Sequence, residues 1–253
     1  MKKGESSAVK KELMSKIRRS YFLRLIARCL IFIAMIVLYV MKPECFNVLC
    51  GNQFFNTFSP LHIVWLIWVV DMVQQLIPAK EHIPLGSQKH FRQRFQPILD
   101  KISIQAIKEH AVSTAKSAYM VMLIWFLLIA VISALYRFNV ISAPIVFLIS
   151  TAFYVCDLIC VLIWCPFRLI MKNRCCTTCR IFNWDHLMMF TPMLFIGSFF
   201  SSSLVLLSII VWAVWEICTI LHPERFWEKT NQALQCASCT DKLCTQYCQK
   251  LRK

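Results

Sequence analysis

Long uncharged apolar runs alternate with short basic stretches along this chain. A helix of about 20 apolar residues crosses the hydrocarbon core of a bilayer, so each run of that length predicts a membrane span. Four are plain, at residues 21–41, 61–78, 119–138 and 145–165. The second opens after Ser59-Pro60 and closes at Pro78, and the fourth stops at Pro166. Proline lacks the N–H that a helix interior uses, so these are natural boundaries. The first run follows a basic stretch, as a signal peptide does. No small-residue cleavage site follows it, and a retained helix is expected.

The last run, 186–221, is longer than one span. A single helix there would reach about 50 Å, too long for a bilayer unless steeply tilted. Its only small and polar stretch, 197–203, predicts a turn between two short helices at 186–199 and 203–221. The expected fold is an all-α polytopic membrane protein. About six transmembrane helices, paired as three hairpins, fill residues 21–221 behind a basic tail at 1–20.

Charge placement supports this layout. Seven Lys/Arg precede Tyr21, seven lie in 79–118, four in 166–185 and six beyond Leu221. Six spans put all of these on one side and leave Lys42 and Arg137 on the other. The positive-inside rule makes the common side the cytoplasm, with both termini there and the plasma membrane as the expected location. A five-span layout would strand the basic C-terminal tail outside. Within 79–118, Ile98, Leu99, Ile102, Ile107 and Ala111 recur near helical spacing and predict an interfacial helix.

Composition narrows the classes further. With 58% hydrophobic and 16% charged residues the chain is neither an ordinary soluble domain nor disordered. The net charge of +15 needs no nucleic acid. Topology bias and attraction to anionic lipid account for it, so the lipid bilayer is the expected partner. Four scattered glycines leave no P-loop, dinucleotide fingerprint or nucleophile elbow, and no catalytic residue is nominated.

Three acids fall within the spans. The second, fourth and sixth helices each carry an aromatic, then an acid, then a proline: Trp68, Asp71 and Pro78; Tyr154, Asp157 and Pro166; Trp215, Glu216 and Pro223. The pattern suggests three related hairpins. An acid at mid-helix costs ~3 kcal/mol or more on insertion, so each must be neutral, paired or facing a cavity. Asp71, Asp157 and Glu216 read either as a ring that binds a cation or relays protons, or as hydrogen-bonding glue between helices. Arg24 and Arg28 can approach them from the first helix.

The cysteines sort by position. Of fourteen, Cys45 and Cys50 lie in the outer loop, where a disulfide is expected in an oxidising compartment. Cys29, Cys156, Cys160 and Cys218 lie within spans and read as small apolar residues. The other eight form two cytosolic, metal-binding segments, 166–185 and 222–253. Cys165, Cys175, Cys176 and Cys179 belong to the loop, and Cys236, Cys239, Cys244 and Cys248 to the tail. Clustered thiols in a reducing cytosol point to metal ligands or redox groups, and both segments contain C-x2-C. Two four-cysteine sets fit iron–sulfur clusters, whereas four thiolates stapling loop to tail fit zinc. His186 and His222 are candidate accessory ligands or proton carriers.

The leading expectation is a membrane redox protein with cysteine-ligated iron–sulfur centres, passing electrons to a membrane or cytosolic redox partner. The alternatives are a cation or metal-ion transporter or channel using the acid ring, and a structural membrane subunit whose tail is stapled by zinc.

Overall fold

The computed structural model describes residues 16–78, 86–98, 102–173, 175–237 and 239. Among them the regular structure is helical, with one isolated antiparallel bridge between Pro97 and Asn231. In chain order the α-helices are α1 Lys16–Met41, α2 Gln53–Asn56, α3 Leu61–Leu76, α4 Ile104–Arg137, α5 Ala143–Leu162, α6 Arg168–Met171, α7 Asp185–Phe190 and α8 Phe199–Leu221.

Four of these, α1, α4, α5 and α8, are long and apolar enough to cross a membrane. The chain is therefore a helical membrane protein. Their outward faces carry exposed Leu23, Ile33, Leu123, Leu127, Leu206 and Ile217, as a lipid-facing surface requires. α3 is apolar but shorter, at 16 residues.

Two elements differ from the pattern read off the sequence. The segment read as an interfacial helix leading into the third span and the span itself form one continuous helix, Ile104–Arg137. No glycine or proline interrupts residues 104–137, and Ser103 caps the start by accepting from the Ala106 N–H at 3.2 Å. The arm after residue 185 is a six-residue α-helix that tightens into a 3-10 helix at Thr191–Phe195, where Pro192 sits. At 1.5 Å and about 2 Å per residue these pieces reach only about 19 Å. Gly197, at a φ of +70°, reverses the chain, and Ser198 starts α8 with a capping box to Ser201.

The helices gather around α5, α7 and α8. α1 lies along α5, and α3 and α7 lie along α8. The core between them is aromatic: Trp68, Phe147, Phe190 and Phe200 are fully buried, with Trp68 5.0 Å from Phe190 and 5.5 Å from Phe147 between ring centres. Trp65 Nε1 donates to Ser203 Oγ at 2.9 Å and Trp125 Nε1 to Thr191 Oγ1 at 3.0 Å, pinning α3 and α4 to the last hairpin. This packing brings the polar faces of α1, α3, α5 and α7 together near one end.

Candidate functional site

Arg28 is the centre of the buried polar region. It sits on the face of α1 that meets α5, and only 8% of it is exposed. Its Nη1 donates to Asp157 Oδ2 at 2.8 Å and to the Tyr154 carbonyl at 2.7 Å. Its Nη2 lies 3.8 Å from Asp71 Oδ2. The Tyr154 hydroxyl donates to the same Asp71 oxygen at 2.6 Å, closing a loop across α1, α3 and α5. Tyr154 and Asp157 are three residues apart on α5 and so share a face.

One turn along α3 from Asp71, Gln75 extends the network to α7. Its Nε2 donates to both Asp185 oxygens, at 2.9 and 2.8 Å, while its Oε1 meets His186 Nδ1 at 3.0 Å. His186 Nδ1 also lies 3.3 Å from Asp185 Oδ1. Asp185 and His186 are close enough to Asp157 to act on it electrostatically. Arg28, Asp71, Asp157, Asp185 and His186 thus form one cluster.

Glu216 stands apart from it. Arg180 holds both its carboxylate oxygens, at 2.6 and 2.5 Å, and Trp184 Nε1 adds a third bond at 2.6 Å. Asp71 and Asp157 are brought together, and Glu216 is tied instead to the loop before α7. His186 is buried, with 3% exposed, whereas His222 is half-exposed and 3.3 Å from Glu224.

A cavity of about 320 Å³ opens beside the cluster. Asp157 and Asp185 border it, together with Cys156, Cys160, Cys165 and Cys176. Cys175 and Cys179 also line it, while Cys236 and Cys239 do not. Cys165 lies just beyond the end of α5, on the wall of the cavity it shares with Cys160 and Cys176. The neighbouring Cys160 and Cys176 thiols hold the Cys165 thiol below the usual range. Its neighbour Cys165, with burial, pushes the Cys176 thiol up, and burial pushes Cys179 up to about 11.

The Cys176 thiol donates to the Cys160 carbonyl at 3.6 Å, which fastens the loop to the end of α5. Among the described residues no three His, Cys, Asp or Glu groups converge as a metal ion would need. Both C-x2-C segments are closed turns, with the Cys179 N–H on the Cys176 carbonyl at 3.0 Å and the Cys239 N–H on the Cys236 carbonyl at 3.4 Å. Cys244 and Cys248 lie outside the described residues. Cys45 and Cys50 are not bridged to each other.

Sequence reasoning missed Asp185, Gln75 and Arg180. Asp185 had a signal, since an acid directly before a buried histidine at a helix start favours the helix dipole. Arg180 had none, being one basic residue in a basic loop. No family model, curated protein or solved structure shows a match to the chain.

Proposed function

We propose that this protein is a proton-coupled cation transporter of the plasma membrane. The observation that carries this reading is the charge of the cluster. Arg28 faces Asp71 and Asp157, and His186 faces Asp185, so the three aspartates leave one negative charge over even with His186 protonated. At membrane depth an unmatched charge is strongly disfavoured, so one more proton or cation must join the cluster. The adjoining cavity gives such an ion a route to Asp157 and Asp185, and its thiols suit a soft metal cation.

Six crossings with both termini cytoplasmic fit this account. Asp185 bonds to Gln75 near the inner end of α3, and Phe199 packs 4.9 Å from Phe54 in the outer loop. In this reading the short arm between them supplies the fifth crossing. Glu216, neutralised by Arg180, takes no part in transport.

The test is flux into proteoliposomes, using Zn²⁺ or Cd²⁺ as the probe and a trapped pH dye. Asp157→Asn and His186→Gln should abolish cation uptake and the accompanying proton movement. Absence of both fluxes in the wild-type protein overturns the reading, as does full activity in both variants.

A second reading is electron transfer through cysteine-bound iron–sulfur clusters. It is favoured by the two C-x2-C turns and by the four-plus-four count of cytosolic cysteines. Iron and acid-labile sulfide in anaerobically purified protein, lost in Cys239→Ser but kept in Asp157→Asn, would select it. Colourless protein holding zinc alone would make the cysteines a structural staple.

A further inference from the structure

The cavity beside the cluster is larger than a bare ion needs. Its volume of about 320 Å³ falls within the range of small-molecule sites, roughly 300–1,000 Å³. Trp125 from α4 and Phe153 from α5 stand edge to face in its wall, 5.0 Å apart between ring centres. Phe167, Phe182 and Met188 extend the apolar lining. Asp157 lies one turn along α5 from Phe153, so its carboxylate shares a face with that ring. Arg28 takes Asp157 Oδ2 alone. Oδ1 accepts no hydrogen bond among the described residues, and 21% of the side chain is open. Asp185, at the start of α7, adds a second carboxylate, with both oxygens held by Gln75. Among the described residues the one basic group in the lining is Arg168, from α6 beyond the end of α5, where its Nε donates to the Asn173 carbonyl at 3.3 Å. The carboxylates account for a cation. The aromatic walls supply nothing that a metal ion binds, but they suit a cation that carries an apolar body.

We propose that this cavity is a binding site for lipophilic ammonium ions, in which a protonated amine is carried on an aromatic body. Such a site rests on the cation-transport reading of the same cluster and gives that cluster an organic cargo. The ammonium N–H donates to Asp157 Oδ1, a charge-assisted bond, and supplies the positive charge that the three aspartates lack. The body of the molecule packs against Trp125 and Phe153, whose ring faces also attract the ammonium. Cys156 is exposed on α5 and lines the cavity, which marks an entrance from the outer surface of the bundle. A neutral molecule of the same shape gains the walls but leaves the negative charge of the cluster unmatched, so the site selects for charge as well as for shape.

The experiment measures saturable binding of tritiated 1-naphthylmethylamine to the full-length protein in lipid nanodiscs at neutral pH, with empty nanodiscs subtracting partition into lipid. The amine should compete at least about tenfold better than 1-naphthylmethanol, which has the same shape and no charge, and Asp157→Asn should weaken the amine by a similar factor. Phe153→Leu keeps an apolar wall without a ring face and should weaken it about fivefold. Comparisons on the wild-type protein need no variant to fold. Equal competition by amine and alcohol overturns the proposal, and so does full affinity in Asp157→Asn or the absence of saturable binding. Zn²⁺ uptake that depends on Asp157, in a protein that binds no amine, would leave the transport reading standing and sink this site. Amine binding that depends on Asp157, in a protein that moves neither Zn²⁺ nor protons, would do the reverse.

Discussion

The guanidinium of Arg28 stands 3.8 Å from the centre of the Tyr154 ring and donates to that same residue's backbone carbonyl at 2.7 Å. One turn of α5 therefore offers the arginine an aromatic face, a carbonyl and, three residues on, the Asp157 carboxylate. A planar group with five donors can meet all three and still reach toward Asp71. The ion pairs fix how α1, α3 and α5 are set against one another.

Removing the arginine alone should be severe. Arg28→Met leaves two carboxylates without their cation, and breaking a buried pair in this way costs roughly 3–5 kcal/mol. Arg28→Lys should rescue little, because an ammonium cannot span both aspartates and the Tyr154 carbonyl. The triple variant Arg28→Met/Asp71→Asn/Asp157→Asn should recover most of the loss, since no charge is then left unmatched. Denaturant unfolding in detergent micelles measures all three. A single Arg28→Met variant as stable as the wild type would remove the cluster from any structural account.

Glu216 and Asp157 should respond oppositely. Glu216 is held by Arg180 and Trp184, and Glu216→Gln leaves the Arg180 guanidinium partly buried without a counter-charge. Stability should fall by about 3 kcal/mol while cation flux per folded molecule is unchanged. Asp157→Asn should remove flux and leave folding closer to normal, since Asp71 still balances Arg28. Equal loss of flux in both variants would restore a three-acid site.

The contrast between these acids shows what the chain makes legible by itself. Span length, charge asymmetry and proline boundaries are local properties of sequence, and they identify the helical membrane class and the positions of α1, α5 and α8. That Asp71 and Asp157 need partners follows from the same energetics. Which partner each finds depends on helix packing. Arg28 and Arg180 are separated from their acids by 129 and 36 residues, and nothing local distinguishes them from other basic residues. The approach of Cys176 to the end of α5 is hidden for the same reason. Cys160 reads as an apolar span residue until the loop carrying Cys176 folds back on the end of α5.

Cys179 should leave a signature in alkaline solution. Burial raises its thiol from 9.0 to about 11, so the folded protein keeps that proton longer than the unfolded chain does. The stabilisation is complete below pH 9 and is lost as pH rises through 11. Unfolding scans across pH 8–11 should show a fall in stability that Cys179→Ala flattens. Iodoacetamide should likewise label Cys179 slowly at pH 8 in the fold and rapidly once the protein is denatured. An equal rate in both states would mean that the thiol is not held protonated.

The turn before α8 gives a separate handle on the arm that carries Asp185 and His186. Gly197 adopts a φ of +70°, yet a Cβ added there would meet nothing within 4 Å. Any penalty at this position therefore comes from the backbone alone. Gly197→Ala should cost ~1–2 kcal/mol, the usual penalty for left-handed backbone in an L-residue, and Gly197→Asn noticeably less. Ser198→Ala removes a cap that accepts from the Ser201 N–H at 3.2 Å and should cost about 1 kcal/mol. Because the turn fixes where α7 lies against α8, Gly197→Ala and Ser198→Ala should also speed amide hydrogen exchange along 186–196 while leaving α1 protected. If exchange rises equally in α1, the arm is not an independent unit and the whole bundle opens together.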